Sequence, residues 1–384
     1  MARVGGPDPV AWLRDTFDCG EGICPVRYYW DYLGLDDLLG AQRLASVEEG
    51  GAPAHDEMLF IVTHQAFELW FKQILWELDA VVDTLGAAPV EEREMGQVLH
   101  RLERIKEIQP LLVQQFAVLE TMTPLDFLDF RDLLIPASGF QSPQFRILEN
   151  RLGLDPSKRM KIQGSHYTSR LSREHAERVE ASEHEPTLLG ALDAWLARTP
   201  FLKFGDYDFW AAYREAVTAM IERDRKLIAT NESLDEVSRQ QQLDAFETTV
   251  ATFATLFDRD QWEDLRAQGR RRLSHEAFLA ALLISLYRDE PAFHTPHRLL
   301  RTLVDLDIGF NRFRTAHAQL VHRTIGGRIG TGGTAGHEYL EAAARRHRVF
   351  TDLFDLATYS VPREELPALP DDVGAQMRFR FQPT

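Results

Sequence analysis

Apolar residues recur at every third or fourth position over long parts of the chain, which is the spacing of one face of an α-helix. The clearest stretch runs from Leu59 to Leu85 and is apolar on more than one side, so we expect a central helix that ends at Gly86. Strand signals are scarce, because alternating β-branched runs and Asn-Gly or Asp-Gly turns are lacking. The pattern predicts an all-α fold, a large helical bundle of long helices.

Further helical patterns follow one another along the chain. A second long helix is expected at about 90–121 with a kink at Pro110, and Thr123 caps a short helix after it. Ser233 and Glu236 have the spacing of a capping box. The remaining helices are predicted at about 186–197, 209–229, 233–257, 275–288, 297–325 and 338–356.

One part of the chain departs from this regularity. The segment of about 155–185 is polar, rich in histidine and without clear periodicity, and we interpret it as a surface excursion. It opens a helical and irregular insertion of about 155–270. Internal repeats and low-complexity linkers are lacking, so the pattern favours one large domain with this insertion.

Composition excludes several classes of protein. The 384 residues are 44% hydrophobic and 27% charged, as in ordinary globular domains. The net charge of −16 argues against a protein that binds nucleic acid or anionic lipid. The N-terminus lacks the apolar run of a signal peptide, and the longest apolar stretch, 277–287, is too short to cross a bilayer. We expect a cytoplasmic protein in which Cys19 and Cys24 are reduced thiols.

The glycine-rich segment 330–336 is the first candidate for function. A phosphate-binding P-loop ends in Gly-Lys-Ser or Gly-Lys-Thr, and a dinucleotide fingerprint follows a strand; this segment has neither feature. Glycines permit close backbone approach and motion. We therefore expect a turn or a flexible cap over a pocket.

Two of the 13 histidines lie on apolar helical faces. His64 lies between Phe60 and Phe67 in the central helix, and His317 follows Phe313 in the last long helix. Each fits two interpretations, a hydrogen-bonded core residue or an iron ligand or proton partner in an apolar pocket. The His-x-Glu pattern at 55–57 is a poor metal site, because positions i and i+2 diverge on a helix.

Arg131 is the third unusual residue, because it shares a helical face with Phe127 and Leu134. Buried arginines are almost always paired. The side chain is either part of a structural ion pair or a clamp for the carboxylate of a ligand. We expect Asp129 and Asp132 to point away from this face, which favours the clamp.

Several long motifs resemble the tryptophan 2,3-dioxygenase family, over roughly residues 28–363. They are YLGLDDLLGAQ (32–42), HDEMLFIVTHQAFELWFKQILWELD (55–79), VLETMTPLDFLDFRDLLIPASGFQSPQFRILEN (118–150), RRLSHEAFLAALLISLYRDEP (271–291), FRTAHAQLVHRTIG (313–326) and RIGTGGTAGHEYL (328–340). The resemblance implies a mostly helical, haem-dependent homotetramer of tryptophan catabolism by the kynurenine pathway. Such an enzyme opens the indole ring of L-tryptophan with O2 and forms N-formyl-L-kynurenine.

The resemblance also implies how a cofactor is held, with haem b buried between the long helices. It makes His317 the axial ligand of the haem iron and His64 the histidine on the opposite side, beside the indole nitrogen. Ser138 and Gly139 match a turn near the haem. Haem needs an apolar slot between helices with an imidazole on one side, and aromatic-rich helices can supply it.

For the substrate, the resemblance implies a further set of contacts. Phe60 and Phe127 match walls of the indole pocket, Arg131 matches the residue that grips the carboxylate, and Thr331 matches the loop threonine at the amino-acid end. With that end fixed, the cofactor activates O2 while the protein positions the indole.

The resemblance further divides the chain into an N-terminal arm, 1–54, and an all-α haem-binding catalytic domain, 55–384. In the arm, Tyr29 and Tyr32 match tyrosines that reach into the site of a neighbouring subunit. We therefore expect a homotetramer whose sites are completed across subunits.

Two features depart from the family pattern, and both border the substrate pocket. Trp30 and Asp31 stand where small residues are usual, and 334–336 reads Thr-Ala-Gly instead of Ser-Ser-Gly, followed by His337. These departures leave open a related haem monooxygenase that acts on a modified, for example methylated, indole. A catalytically silent haem-binding sensor is a third hypothesis.

Overall fold

Seventeen α-helices make up almost all of the regular structure in the parts of the chain that the structure, a computed structural model, describes: 28–160, 166–200, 203–204, 207–331 and 336–378. The all-α prediction is confirmed. The helices are α1 (Tyr29–Leu33), α2 (Leu35–Leu39), α3 (Ala45–Glu48), α4 (His55–Gly86), α5 (Glu92–Leu119), α6 (Pro124–Arg131), α7 (Pro143–Leu152), α8 (Arg173–Ser182), α9 (Leu188–Leu196), α10 (Phe209–Ala229), α11 (Glu236–Leu256), α12 (Arg259–Ala267), α13 (His275–Leu286), α14 (Pro291–Ile325), α15 (Gly336–Arg346), α16 (Thr351–Asp355) and α17 (Asp371–Gln376).

Three long helices, α4, α5 and α14, form the centre of the bundle. Helix α5 packs against both α4 and α14, while α7 covers α4 and α15 covers α14. The predicted start of α4 is four residues late, because Asp56 and Glu57 are polar and interrupt the apolar pattern. Acidic side chains nevertheless stabilise the first turn of a helix, where the helix dipole is positive. The predicted start of α14 is six residues late, since the helix begins with Pro291 at its first position and continues through Pro296.

Helices α5 and α14 approach closely where Gly309 faces Gln109. The buried Gln109 amide donates from Nε2 to the carbonyl oxygen of Leu306 at 2.9 Å, next to Pro110, which α5 accommodates without ending. A Cβ at position 309 would collide with that amide. Glycine at position 309 therefore leaves room for the Gln109 amide between the two helices.

The last short helix of the N-terminal arm, α3, is fixed by the first turn of α4. The buried Glu57 carboxylate accepts hydrogen bonds from the backbone of Ala45 at 2.6 Å and from the backbone and hydroxyl of Ser46 at 3.2 and 2.6 Å. An acid at the N-terminus of α3 satisfies donors that the helix itself leaves unpaired. Glu57 thus has a structural use, in agreement with the argument against an iron site at 55–57. Residues 1–27, with Cys19 and Cys24, lie outside the described residues.

The prediction of a single helix at 338–356 is wrong in its extent. Helix α15 runs from Gly336 to Arg346, and the chain is not helical at 347–350 before α16 begins at Thr351. Asp307 of α14 causes this break, since its carboxylate accepts from the Val349 backbone at 3.1 Å and from Arg348 Nε at 2.7 Å. A contact distant in sequence overrides the helical pattern at this point.

The interpretation of 155–185 as a surface excursion is also wrong in part. The segment contains a 3-10 turn at Pro156–Lys158 and helix α8, and Arg159, Tyr167 and Val179 are buried. Its buried side chains are largely polar and are held by hydrogen bonds and ion pairs. A search for apolar periodicity does not detect them.

The remaining differences between the predicted and the observed structure concern a helix cap and short elements. The N-cap of α11 is Asp235, which accepts from the Ser238 backbone at 2.7 Å, so the predicted Ser233 capping box is wrong; Ser233 bonds to Asn231 instead. Helices α7 and α12 were not predicted. Two-residue strands, β1 (Lys203–Phe204) and β2 (Tyr207–Asp208), pair antiparallel. Among the described helices, no segment has the length and apolar character needed to cross a membrane.

Candidate active site

An apolar cavity lies between α4, α5, α7, α14 and α15. Its volume is about 250 Å³, close to the lower end of the ~300–1,000 Å³ of most small-ligand pockets. Most of the predicted site residues line it: Phe60, His64, Phe127, Ser138, Gly139, His317 and Thr331.

His317 lies deep in the bundle on α14, against the ring of Phe116. The two rings are nearly parallel, at an interplanar angle of 4°, with centroids 5.7 Å apart. Burial, with a smaller contribution from the neighbouring His64, lowers the pKa of His317 to about 4. The imidazole is therefore neutral at ordinary pH, which is the form that ligates a metal.

His64 lies on α4, one turn after Phe60, and the two side-chain rings are in contact, tilted by 34° with centroids 4.1 Å apart. The Nδ1 atom lies 2.7 Å from the Phe60 carbonyl oxygen. Because a carbonyl only accepts, Nδ1 carries the hydrogen and Nε2 keeps its lone pair. Burial lowers the pKa of His64, against the smaller raising effects of the Phe60 carbonyl and Glu68. The residue is thus a neutral acceptor at the cavity.

Phenylalanine rings fill the space around these two histidines. Phe67 contacts His64 at 6.2 Å between centroids and packs against Phe116 at 5.1 Å and Phe313 at 5.8 Å. A second aromatic group, Phe60, Phe127 and Phe130, has centroid separations of 5.4 to 5.8 Å. This side of the cavity, which we call the aromatic wall, can hold flat, apolar rings.

Another part of the lining is charged, and sequence reasoning missed it. We call it the charged wall: Arg146 and Glu149 of α7, Arg159, Arg314 of α14 and His347. The Glu149 carboxylate, 1% exposed, lies 2.7 Å from Arg159 Nη1, 2.9 Å from Arg314 Nη2, 3.4 Å from Arg146 Nη1 and 3.1 Å from His347 Nδ1. Burial raises the pKa of Glu149, but Arg159, His347 and Arg314 hold it well below its usual range.

The charged wall has more positive groups than one carboxylate can neutralise. Three guanidinium groups face the single charge of Glu149. In addition, Arg314 Nε, His347 Nε2 and Tyr339 Oη are buried without a hydrogen-bond partner among the described residues, and all three residues line the cavity. Unsatisfied buried donors are rare in native proteins. The wall therefore suits an anionic group such as a carboxylate.

Arg131 lies beside the cavity and not in its lining. Its side chain is 18% exposed; Nη1 lies 2.9 Å from Asp132 Oδ1, Nη2 donates to the Ile329 carbonyl at 2.7 Å, and Nε is buried without a partner. The expectation that Asp132 points away is wrong. Asp132 begins a 3-10 turn, Asp132–Leu134, where the α-helical periodicity behind that expectation no longer applies. Arg131 thereby anchors the loop that leads to Thr331.

The remaining predicted residues differ in position. Ser138 caps the 3-10 turn Gly139–Gln141 and, with Gly139, lines the cavity. Tyr29 and Tyr32 are 69% and 64% exposed and contribute nothing to the cavity of their own chain. Trp30 donates from Nε1 to Asp36 at 2.9 Å within the arm. Thr334 and Ala335 lie outside the described residues.

A signal for the charged wall was present in the sequence. Arg314 lies on the same helical face as Phe310 and His317, and an arginine on an apolar stripe needs a partner. That partner, Glu149, is 165 residues away. Local spacing could therefore identify the arginine but not what it binds.

An all-α bundle that encloses an aromatic cavity with two neutral histidines and a cationic wall defines a class of protein, the helical cofactor-binding enzymes. Comparison of the sequence with known protein families identifies one family within this class. The family model described as tryptophan 2,3-dioxygenase matches residues 22–360. This chain belongs to the tryptophan 2,3-dioxygenase family.

Relatives named tryptophan 2,3-dioxygenase match over nearly their whole length. The protein of Bdellovibrio bacteriovorus is 45% identical over 93% of this chain and 99% of its own. That of Dictyostelium discoideum is 44% identical over 92% and 88% of the two chains, and that of Mus musculus 43% over 89% and 84%. These names favour a dioxygenase over the monooxygenase alternative.

Proposed function

We propose that this protein is a haem-dependent dioxygenase that converts L-tryptophan and O2 into N-formyl-L-kynurenine. In this reaction the C2–C3 bond of the indole breaks and each of the two carbons takes one oxygen atom, so the product contains both atoms of O2. The observation that carries the proposal is the pair of neutral histidines, His64 and His317, on one aromatic cavity. The family membership supports the same substrate and reaction.

Haem b fits the residues of the cavity. His317 would supply the nitrogen that binds the haem iron, since its imidazole is neutral and lies among apolar rings. The unpartnered donors of Arg314 and Tyr339 would bind the carboxylates of the cofactor. When bound, the haem iron supplies the activation of O2 that no protein side chain provides. The chain supplies binding, orientation and exclusion of water.

The substrate would lie on the aromatic wall. The lone pair of His64 Nε2 would accept the hydrogen of the indole nitrogen, since Nδ1 is already committed to Phe60. Phe60 and Phe127 would pack against the ring, and Arg131 with Thr331 would bind the carboxylate and amino groups. Holding both ends of the substrate limits the orientations of C2 and C3, and such alignment contributes strongly to rate.

The reaction is tested by turnover of L-tryptophan in an atmosphere of isotopically labelled O2. We expect the absorbance of N-formylkynurenine to grow and the mass of the product to rise by two labelled oxygen atoms. One labelled atom, or turnover of methylated indoles alone, would favour the monooxygenase. Stable haem binding without turnover of any indole would favour the silent sensor.

The cofactor assignment is tested separately on the same helix. His317→Ala should fold and lose either its haem or the five-coordinate ferrous histidine spectrum. His322→Ala, one turn further along α14 and exposed, should keep both. Full haem occupancy with an unchanged spectrum in His317→Ala would remove His317 from the iron.

We further propose a homotetramer in which the arm, 1–54, contacts a neighbouring subunit. Val62, Leu69 and Trp76 recur at seven-residue intervals along α4 and are exposed, Trp76 by 74%. Exposed apolar stripes of this kind mark protein interfaces. Light scattering should give a tetramer for the wild type and smaller species for Trp76→Lys. A monomeric, active wild type would contradict this proposal and would exclude a role for Tyr29 and Tyr32 in a neighbouring site.

A further inference from the structure

His347 is a buried histidine of the cavity wall for which the proposed reaction has no use so far. It follows the last residue of α15 and is 2% exposed. Its Nδ1 lies 3.1 Å from Glu149 Oε1, and its backbone carbonyl accepts from Arg314 Nη1 at 3.0 Å. The side chain and the backbone of His347 are therefore held by two different elements, α7 and α14.

Glu149 determines which nitrogen of the His347 ring carries a hydrogen. The guanidinium groups around Glu149 keep it ionised, and an ionised carboxylate only accepts hydrogen bonds. Nδ1 must then donate to Glu149. Nε2, at the other end of the ring, is buried and has no hydrogen-bond partner among the described residues.

The surroundings of His347 indicate what kind of partner Nε2 requires. The ionisable groups that face this part of the wall are Arg146 and Glu149 of α7, Arg159, Arg314 of α14 and Tyr339 of α15. Three of these five groups are permanently cationic and one is anionic. An additional anion would therefore be stabilised beside Nε2, and a cation would be repelled.

We propose that His347 is a cofactor-binding residue: anchored on Glu149 through Nδ1, it binds a carboxylate of haem b through Nε2, with one proton held between the two groups. The inference rests on the proposed haem-binding function. The proton comes from solvent and is shared by Nε2 and the carboxylate, so that the pair adds no net positive charge to the wall. Haem binding and proton uptake are thus coupled at this residue.

The first test compares ferric haem with the ferric dimethyl ester of the same porphyrin, which lacks both carboxylates. Apoprotein is titrated with each compound by Soret absorbance, and calorimetry in two buffers of different ionisation enthalpy counts the protons taken up. We expect the wild type to bind the diacid more tightly and to take up about one proton more with it than with the ester. Equal proton counts would overturn the proposal without any variant.

The second test distinguishes the roles of the two ring nitrogens of His347, Nδ1 and Nε2. In His347→Asn the amide stands near the position of Nδ1, so the contact with Glu149 is kept and Nε2 is lost. Since hydrogen bonds to charged groups are the strong ones, its preference for haem over the ester should fall about 10–150-fold. In His347→Gln the amide reaches the position of Nε2 but does not titrate. This variant should keep part of the preference and lose the proton uptake.

His175→Asn is the matched control, because the same substitution is made on the exposed face of α8. It should match the wild type in every measurement. An unchanged diacid preference in His347→Asn would remove His347 from the cofactor. A wild type that binds neither porphyrin would instead contradict the proposed function as a whole.

Discussion

The aromatic wall and the charged wall of the cavity are built in opposite ways. In the aromatic wall the polar contact is local, since His64 bonds to Phe60, four residues earlier on the same helix, and the contacts between helices join apolar rings. In the charged wall the polar contacts are distant in sequence, since Glu149 meets Arg314 and His347 across 165 and 198 residues. The hydrogen bond of the first wall is complete as soon as α4 forms, whereas the ion pairs of the second require the whole bundle to be assembled.

This difference predicts whether a substitution changes ligand binding or the stability of the fold. His64 makes its hydrogen bond within one helix, and its loss affects what the cavity binds. Glu149 joins α7, α14 and the segments around Arg159 and His347, and its loss affects the fold. Breaking each wall in turn should give effects of different kind and size.

The largest effect is expected from Glu149→Ala. Removing the carboxylate leaves buried guanidinium groups without a partner, which costs about 3–5 kcal/mol. Urea unfolding of the apoprotein should show this loss in the free energy of unfolding. Glu247→Ala is the control, because its pair with Arg225 has a distance of 2.7 Å on an exposed surface and is worth about 0–1 kcal/mol. Equal losses in the two variants would show that the charged wall does not join the helices.

The charged wall should also make the protein sensitive to acid. Because the pKa of Glu149 lies well below its usual range in the folded state, its stabilising effect is complete above the ordinary glutamate pKa of about 4.3 and is lost as the pH falls further. The free energy of unfolding should therefore decrease below about pH 4.3 more steeply for the wild type than for Glu149→Gln. Parallel curves would contradict this.

Arg131→Leu should have the next largest effect, and on binding alone. If the guanidinium binds the substrate carboxylate, its loss should weaken L-tryptophan binding about 10–150-fold while the haem spectrum stays intact. Tryptamine lacks the carboxylate, so its weak binding should change little. Spectral titration of both ligands decides between a clamp and a loop anchor, because loss of the contact with Ile329 alone would weaken both ligands equally.

His64→Ala should have the smallest effect. A single neutral hydrogen bond is worth about 0.5–1.5 kcal/mol, which corresponds to about 2–13-fold in affinity. L-Tryptophan should lose this factor, whereas 1-methyl-L-tryptophan, which has no indole N–H, should lose none of it. The variant should retain haem; loss of haem from a folded His64→Ala would make His64 a ligand of the iron.

The sequence predicts the two walls unequally well. Apolar spacing is sufficient to predict α4 and α14 and to single out His64 and His317, because those signals lie within a few turns of one helix. The resemblance adds roles for residues such as Thr331, which no spacing rule identifies. Arg159 and His347 were missed because their burial depends on an ion-pair network and not on an apolar pattern. Arg131 was assigned no partner because the helix tightens at Asp132.

The contact between Gly309 and Gln109 has a consequence for how the protein tolerates mutation. Any side chain at position 309 would meet the Gln109 amide, so either that amide gives up its bond to Leu306 or α5 and α14, the helices that carry Phe116 and His317, move apart. In a library that samples all amino acids, active clones should contain glycine at 309 more often than the native residue at Arg312, which is exposed on the same helix. Variants that also shorten Gln109 should tolerate a small side chain at 309, because the atoms in contact would then be removed.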